Sequence, residues 1–270
     1  MMLYKEEGNV KIHRLRVIHL YEADLNFLLG LKWKDAIHKS QRDQTLNSGQ
    51  YGGCPGKDPT TVTLLEEARL DYSTLTRTPF TNFDNDASSC YDRILVSIAS
   101  LVGRSFGINK DVIFVHAKTL EEAEFKLKIS NKVTEASYKH CVKFPIHGTG
   151  QGSGNSPMIW CFISSKLFDC HNKNAYGMLF KSPNGEMIIR MSIIGFVDDS
   201  TCTTGGDPEK PIEDLIGKMK HDAQLWNDLL WCSGGKLELP KCGYHVIYYD
   251  FHDNGIPYLR HSYDQPVAIT

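Results

Sequence analysis

The chain has 270 residues, of which 41% are hydrophobic and 23% charged, so it can bury a sizeable core as one large lobe or two closely joined lobes. A formal net charge of −2 argues against a generally basic protein that coats nucleic acid, because phosphate neutralisation supplies most non-specific affinity. The amino end turns charged at once and no apolar run approaches about 18 residues. These features predict an intracellular protein, nuclear or cytoplasmic, with no signal peptide and no membrane partner.

Two helical patterns come first along the chain. Residues 23–39 and 60–76 are predicted as helices from the spacing of their apolar side chains. The predicted inward face of the second helix is formed by Val62, Leu65, Ala68 and Leu70. The polar stretch 40–59 between the helices is rich in Gln, Gly and Asp, which favours a mobile loop.

The carboxylate of Asp86 is predicted at a junction between a strand and a helix. A short β-rich segment precedes it, and apolar residues follow at helical spacing, namely Ile94, Leu95, Ile98, Leu101 and Val102. Further on, Thr119 and Glu122 form a capping-box pattern that predicts a helix to about residue 129. The alternation over residues 132–144 then predicts a strand.

A glycine-rich loop, residues 148–154, leads into an apolar helix for which Ser156 is a suitable N-cap and Pro157 a suitable first residue. Such a loop lets the backbone approach a ligand closely and aims N–H groups at it. On its own, the loop is explained equally well as a flexible connector.

Two further acids, Asp198 and Asp199, lie between β-forming segments, which predicts a hairpin with the acids at its tip. Asn184 and Gly185 predict an earlier hairpin turn, and an amphipathic pattern from residue 212 to 230 predicts a long helix that ends near Gly234. An Asp-Asp pair alone is often only a turn feature, because Asp favours turns and caps.

Carboxylates from two distant segments can converge to hold two divalent metals. Two Mg²⁺ ions about 3.5 to 4 Å apart repel strongly, so their site needs several anionic oxygens from rigid segments and from substrate phosphates. Asp86, Asp198 and Asp199 are the candidates in this chain.

The motifs occur in the order of motifs A, B, C and D of reverse transcriptases, which they resemble. The matching segments are Asp86-x4-Tyr91-Asp92, Gln151-Gly-Ser-Gly-Asn-Ser156-Pro157, Phe196-Val-Asp-Asp199 and Gly234-Gly-Lys-Leu-Glu-Leu-Pro-Lys241. Upstream, the segments beginning at Arg16 and Gln50 resemble the finger blocks of non-LTR retrotransposon and group II intron-type enzymes. The resemblance covers roughly residues 10–245.

The resemblance implies an RNA-directed DNA polymerase that extends a primer on an RNA or DNA template with dNTPs. It implies that Asp86 and Asp198 are the principal ligands of two Mg²⁺ or Mn²⁺ ions, with Asp199 a further acidic member of the site. Tyr91 matches the aromatic steric gate that favours deoxynucleotides, while Gln151 and Gly152 match the lining of the nucleotide and template pocket.

Basic residues are assigned by the same resemblance. Lys241 matches the motif D lysine, a proton donor near the leaving pyrophosphate, and Arg16, with Lys11 or Arg14, matches residues that hold the triphosphate. Apart from the family pattern, Arg14, Arg16 and Lys241 are explained as solvated surface charges.

The implied fold is an α+β polymerase palm, an antiparallel sheet with packed helices in a split βαβ-like order. Partial fingers are expected over residues 1–80 and the palm over 81–250. For part of residues 100–150, membership of the fingers is left open as an alternative. Residues 251–270 are expected to begin a truncated connection to the thumb, which is largely absent.

Two alternative functions remain open at this stage. An inactive palm could bind nucleic acid or a partner without turnover, and an RNA-dependent RNA polymerase would share the acids but fits Tyr91 less well. The eight cysteines show no Cys-x2-Cys pair, which favours reduced core thiols over zinc sites at His140-Cys141 or Cys170-His171.

Overall fold

A computed structural model describes residues 2–4, 15–88, 90–129, 132–143, 145–260 and 266–269. The helices are α1 (Ala23–Arg42), α2 (Pro59–Thr76), α3 (Cys90–Arg93), α4 (Val96–Ser105), α5 (Lys110–Glu122), α6 (Ser156–Asn174) and α7 (Ile212–Cys232). The strands are β1 (Met2–Tyr4), β2 (Leu15–Val17), β3 (Phe80–Asp86), β4 (Glu124–Ile129), β5 (Lys132–Lys139), β6 (Met178–Lys181), β7 (Ile188–Met191), β8 (Ile193–Phe196), β9 (Asp199–Gly205), β10 (Gly243–Ile247), β11 (Tyr249–Phe251) and β12 (Pro257–Leu259).

The chain divides into two compact units. Unit 1 contains Met1–Thr45 and Ser89–Ile163, and unit 2 contains Leu46–Ser88 and Ser164–Thr270. The domain boundaries predicted at residues 80 and 250 were placed from the sequence motifs, and they stay a prediction. Within the described parts of both units, no helix combines the length and the apolar character that crossing a membrane requires.

Unit 1 has a helical core centred on Trp33 of α1. The indole is fully buried, and its ring lies 6.0 Å from that of Phe162, which stacks on Phe106 at 4.3 Å. A Cβ on Gly103 of α4 would lie 2.9 Å from both Trp33 and Ile113, so only glycine lets α4 approach this closely. Aromatic packing thus fixes how the helices of this unit meet.

Two predictions for unit 1 were wrong in their boundaries. The single helix expected after Asp86 is divided into α3 and α4, with Leu95 in an extended conformation before α4. The helix expected from Thr119 to residue 129 instead begins at Lys110 and ends at Glu122. Its N-cap is Asn109, whose side chain accepts a hydrogen bond from Asp111 N. The residues from Glu124 onward instead pair with β5 as an exposed antiparallel hairpin.

Unit 2 is built on a four-stranded antiparallel sheet in the order β10-β3-β9-β8. Alternation along β3 directs Phe83 and Asn85 to one face, where Asn85 bonds Trp226 of α7. Phe168 of α6 packs on the same indole, with ring centroids 5.5 Å apart. The predicted hairpin at Asn184-Gly185 and the predicted helix at residues 212–230 are both confirmed.

The opposite face of this sheet meets α2 through polar groups. Arg69 is 2% exposed and bonds Glu66 and Thr203, and Asn82 of β3 donates to Glu66 at 3.1 Å. Burial lowers the pKa of Arg69 and raises that of Glu66. The prediction that Ala68 and Leu70 face inward was wrong because α2 packs by an ion pair and hydroxyl contacts, not by an apolar stripe.

Asp222 of α7 joins three parts of unit 2 through a buried carboxylate. Its oxygens accept hydrogen bonds from Tyr176 N at 2.9 Å, Gly177 N at 3.1 Å and the Thr204 hydroxyl at 2.7 Å. The side chain is 0% exposed, so each of these donors depends on it for a partner.

Replacing Asp222 by alanine should therefore destabilise the protein strongly. We expect Asp222→Ala to lower the free energy of unfolding by about 3 kcal/mol or more, because it leaves buried donors unsatisfied. Urea denaturation followed by circular dichroism measures the loss. Asp228→Ala, an exposed position on the same helix, should change stability by less than about 0.5 kcal/mol, and an equal loss in both variants would contradict the assignment.

A pH dependence of stability should arise from His116 in unit 1. Burial lowers the pKa of His116 to about 4 from 6.5, and its Nε2 has no hydrogen-bond partner among the described residues. The unfolded chain therefore binds more protons between these values, so stability should fall as pH drops from about 6.5 to about 4, by up to roughly 3 kcal/mol. Urea unfolding at several pH values should show a shallower dependence in His116→Phe, whereas His38→Phe, exposed on α1, should behave as wild type.

Candidate active site

The three predicted acids lie at one end of the unit 2 sheet. Asp86 is the last residue of β3 and Asp199 the first of β9, and the two are direct Cα partners in the antiparallel register. Asp198 lies in the two-residue connection between Phe196 and Asp199, which are themselves paired. The hairpin with acids at its tip is therefore confirmed. The sheet register brings Asp86 beside the Asp198-Asp199 pair.

The acids interact electrostatically. The pKa of Asp199 is raised by partial burial and by the charges of Asp198 and Asp86, while Lys241 lowers it. Like charges on directly opposed strand positions destabilise a sheet, so other contacts must hold this register. A bound cation would relieve the same repulsion.

Lys241 lies at the acidic end of the sheet. It ends a short 3₁₀ helix, Leu239–Lys241, and its Nζ donates to Asp86 Oδ2 at 2.7 Å. The Glu238 amide donates to Asp86 O at 2.9 Å, so main chain and side chain both tie this segment to the end of β3. The hydrogen bond to Asp86 and the charge of that carboxylate raise the pKa of Lys241.

The carboxylates of Asp86, Asp198 and Asp199 are ligands that suit a hard divalent cation, but they are not arranged as a complete coordination shell. Among the described residues, no three His, Cys, Asp or Glu side chains form a metal-holding group. Mg²⁺ needs fewer protein ligands than that, since it commonly binds one or two carboxylates together with water and substrate phosphates. The carboxylate oxygens at the sheet end therefore fit Mg²⁺ or Mn²⁺ in their chemistry, and Asp86 here holds the Lys241 ammonium.

A buried polar network lies directly behind the acids. Asn85 Oδ1 accepts from Trp226 Nε1 at 2.8 Å and from the Ser200 hydroxyl at 2.6 Å. Asn85 adjoins Asp86 and Ser200 adjoins Asp199, so one amide oxygen links the two acid-bearing strands to α7. Sequence analysis missed this network, because Trp226 fits the apolar stripe of its helix and its N–H partner is distant in sequence.

A second support comes from residues 49–52. Tyr51 N donates to Gly195 O at 2.9 Å, and Gly195 N donates to Gly49 O at 2.9 Å. Gly52 contacts the acid-bearing turn so closely that a Cβ would lie 1.9 Å from Val197 N. The mobile loop predicted over residues 40–59 is therefore wrong here, since the segment is hydrogen-bonded to β8 and Gln50 is fully buried.

The turn itself adopts a rare backbone conformation. Val197 has a φ of 60°, which a β-branched residue seldom adopts and which costs of order 1 kcal/mol or more. Packing by Gly52 and pairing of β8 with β9 hold it there. The position of Asp198 thus depends on contacts outside the hairpin.

The predicted nucleotide-pocket residues belong to unit 1. Tyr91 lies in α3 and its carbonyl accepts from Thr149 N at 2.9 Å, which joins it to the glycine loop. Gln151 O accepts from His19 N at 2.7 Å, and a Cβ on Gly152, whose φ is 110°, would lie 2.5 Å from His19 O. The loop is therefore anchored within unit 1, and the roles of Tyr91, Gln151 and Gly152 stay predictions.

The predicted triphosphate residues lie outside what can be described. The backbone of Arg16 pairs with Leu3 between β1 and β2, but its side chain lies outside the described part of the structure. Lys11 and Arg14 lie outside the described residues altogether.

The suggested zinc pairs have other partners. His171 is buried, with Nδ1 at 2.9 Å from Ser192 Oγ and Nε2 at 3.0 Å from Asp222 O. His140 bonds the hydroxyl of Tyr138. These contacts support the interpretation of both histidines as structural residues.

No protein-family model and no curated protein matches the sequence. Solved structures similar to the chain include telomerase from Candida tropicalis in complex with a fragment of telomeric RNA, with a TM-score of 0.51 and 14% identity over 82% of this chain and 33% of that one. Apo telomerase from the same organism, truncated from its C-terminal domain, gives a TM-score of 0.49, with 16% identity over 83% of this chain and 40% of that one. The RNA-dependent RNA polymerase of a human picobirnavirus gives 0.44, with 14% identity over 93% and 44%.

The first of these similarities carries the fold. The chain spans about a third of the length of that telomerase, and the shared architecture is an antiparallel sheet with packed helices. The predicted α+β fold class, with a polymerase-like palm, is therefore confirmed.

The close contact at Gly52 gives a testable consequence. Gly52→Ala should lower the free energy of unfolding by about 2 kcal/mol or more, because the new methyl group meets the backbone of Val197 and displaces the turn. Urea denaturation measures the change. Gly217→Ala on α7, where a Cβ meets only open space, should instead leave stability equal or raise it by up to about 1 kcal/mol. A Gly52→Ala protein as stable as wild type would contradict the described contact.

Proposed function

We propose that the protein is a template-directed nucleotidyltransferase that adds dNTPs to a primer 3′-hydroxyl, as a reverse transcriptase does. The observation that carries the proposal is the pairing of Asp86 with Asp199 on adjacent strands, with Asp198 in the turn between β8 and β9. The motif order and the polymerase-like fold support it. Its origin in a retroelement is part of the proposal and rests on the motif order alone.

Asp86 and Asp198 would hold two Mg²⁺ or Mn²⁺ ions, with Asp199 adding negative charge beside them. Bound there, the ions would lower the pKa of the primer hydroxyl and neutralise charge on the phosphates. The residues of the chain would position the ions and the substrates, since phosphoryl transfer needs no covalent nucleophile from the protein. The Asn85 and Gly52 contacts hold the acids in place for that task.

Lys241 would act on the leaving pyrophosphate. Its ammonium is already at the site, with Nζ 2.7 Å from Asp86 Oδ2, and a lysine side chain carries a proton at neutral pH. We propose that it turns from Asp86 toward the pyrophosphate and donates a proton there. Arg16, with Lys11 or Arg14, would hold the triphosphate.

Residues of unit 1 would contact the sugar and the base of the nucleotide. Tyr91 would act as the steric gate against a 2′-hydroxyl, while Gln151 and Gly152 would line the nucleotide and template pocket.

Preference for dNTPs over NTPs separates this proposal from an RNA polymerase. We expect Tyr91→Ala to narrow that preference by at least about tenfold, as loss of one steric contact would.

Primer extension tests the proposal. With Mg²⁺, primer-template and dNTPs, wild-type protein should extend the primer, and Asp86→Asn and Asp198→Asn should each reduce the rate by at least about 100-fold. Asp84→Asn is a matched control, since Asp84 lies on the same face of β3 and bonds Thr201 at 2.7 Å; it should keep the rate within about threefold. Extension that is unaffected by both substitutions would refute the proposal, and binding without extension would favour an inactive palm.

A further inference from the structure

The ammonium group of Lys57 lies inside the loop of residues 46–57, which supports the acid-bearing turn. Its Nζ donates to Gln50 O at 2.7 Å and to Ser48 O at 3.2 Å, and it lies 4.4 Å from the centre of the Tyr51 ring. Two main-chain carbonyls and one aromatic face therefore converge on a single cation. Lys57 has no role in the proposed chemistry.

A cation has a physical reason to be at this point of the loop. The carbonyl oxygens of Ser48 and Gln50 both lie within hydrogen-bond distance of one Nζ atom, so their negative ends approach each other. Carbonyl dipoles that converge in this way repel. A lysine ammonium is a compact charge with three N–H donors, and it offsets that repulsion. Lys57 thus keeps both carbonyls directed into the loop.

One peptide unit carries the effect of Lys57 to strand β8. The carbonyl of Gln50 and the N–H of Tyr51 belong to the same planar trans peptide, so they point in opposite directions. Lys57 holds the carbonyl, and the N–H on the other side donates to Gly195 O at 2.9 Å. The hydrogen bond from Lys57 therefore orients the donor that joins this loop to β8.

The same loop holds the turn that carries Asp198. Gly52 follows Tyr51 and packs against Val197 so closely that a Cβ on it would lie 1.9 Å from Val197 N. The rare positive φ of Val197 persists because the surrounding structure holds it there. Asp198 comes next in the chain, so the position of its carboxylate depends on how residues 49–52 are held.

A second anchor of the loop does not involve Lys57. Asn47 N donates to Ser165 Oγ and Asn47 Nδ2 donates to Asp169 Oδ1, both at 2.7 Å, and both acceptors belong to α6. These hydrogen bonds keep the start of the loop in place when Lys57 is replaced. Substitution of Lys57 should therefore change the orientation of residues 50–52 and leave the fold of unit 2 intact.

We propose that Lys57 is a positioning residue for the metal-binding carboxylate of Asp198. Its ammonium fixes the peptide between Gln50 and Tyr51, and this keeps residues 49–52 against the acid-bearing turn. The inference rests on the proposed function, because it concerns a metal ligand named there. Lys57 acts through the main chain, so its loss should weaken metal binding without changing the affinity for primer-template.

Mn²⁺ binding, followed by electron paramagnetic resonance without substrate, tests this role. Lys57→Met keeps most of the side-chain length and removes the charge, and it should weaken the Mn²⁺ affinity by about tenfold, since a displaced carboxylate is a poorer ligand. Lys57→Arg restores a cation, N–H donors and stacking on Tyr51, so its affinity should lie within about threefold of wild type. Lys220→Met, at an exposed lysine of α7, is the matched control and should bind Mn²⁺ as wild type does.

Amide hydrogen exchange reports on the loop without any metal. The amides of Tyr51 and Gly195 are the donors between the loop and β8, so Lys57→Met should speed the exchange of both by at least about tenfold. The Tyr176 amide, which donates to Asp222 elsewhere in unit 2, should exchange as in wild type. Equally faster exchange at Tyr176 would show a general loss of stability and would count against a positioning role.

Three further results would overturn the proposal. They are unchanged exchange at Tyr51 and Gly195 in Lys57→Met, unchanged Mn²⁺ affinity despite faster exchange, and a Lys57→Arg variant that binds Mn²⁺ as weakly as Lys57→Met.

Primer extension separates this proposal from the proposed function. If wild type extends primers and Lys57→Met does so with the same Mg²⁺ dependence, the role of Lys57 is refuted and the polymerase proposal stands. If Lys57→Met weakens Mn²⁺ binding and Lys57→Arg restores it, but wild type extends no primer, the role of Lys57 stands and the polymerase proposal is refuted.

Discussion

The pairing of β3 with β9 places Asp86 directly opposite Asp199, and the rest of unit 2 is organised around that unfavourable juxtaposition. Two carboxylates on facing strand positions repel, and a third, Asp198, follows in the adjoining turn. The register persists because the strands continue as a ladder from Phe80 to Asp86 and are buried on their other face. Repulsion concentrated at the end of a stable sheet creates a site that favours cations.

Several side-chain and packing contacts hold the acids in place in addition to the ladder between the strands. The Lys241 ammonium neutralises part of the charge on Asp86, and the Asn85 amide oxygen joins Ser200 to the Trp226 indole. Gly52 packs against the strained turn at Val197. Such arrangements are typical of functional sites, where local strain and like-charge contacts are maintained by the surrounding structure.

The parts predicted correctly from sequence were those with strong local signals. The turn at Asn184-Gly185, the amphipathic α7 and the β-rich segments around Asp198 each carry a pattern that needs no distant partner. The misjudged parts depend on distant partners. The hydrogen bond from Arg69 of α2 to Thr203 and the pairing of Tyr51 with Gly195 join residues far apart in sequence, and the polar composition of both segments resembles that of solvated surface. The end of α5 was missed because the Thr119 capping pattern is overridden by a helix already formed from Lys110.

The most direct measurement is anomalous X-ray diffraction at the manganese edge from crystals grown with Mn²⁺, primer-template and a non-hydrolysable dNTP. The proposed chemistry predicts two anomalous peaks about 3.5 to 4 Å apart, in contact with Asp86 and Asp198, and Lys241 displaced from Asp86. Ordered nucleotide with no anomalous peak at these carboxylates, and with the Lys241–Asp86 ion pair intact, would contradict it.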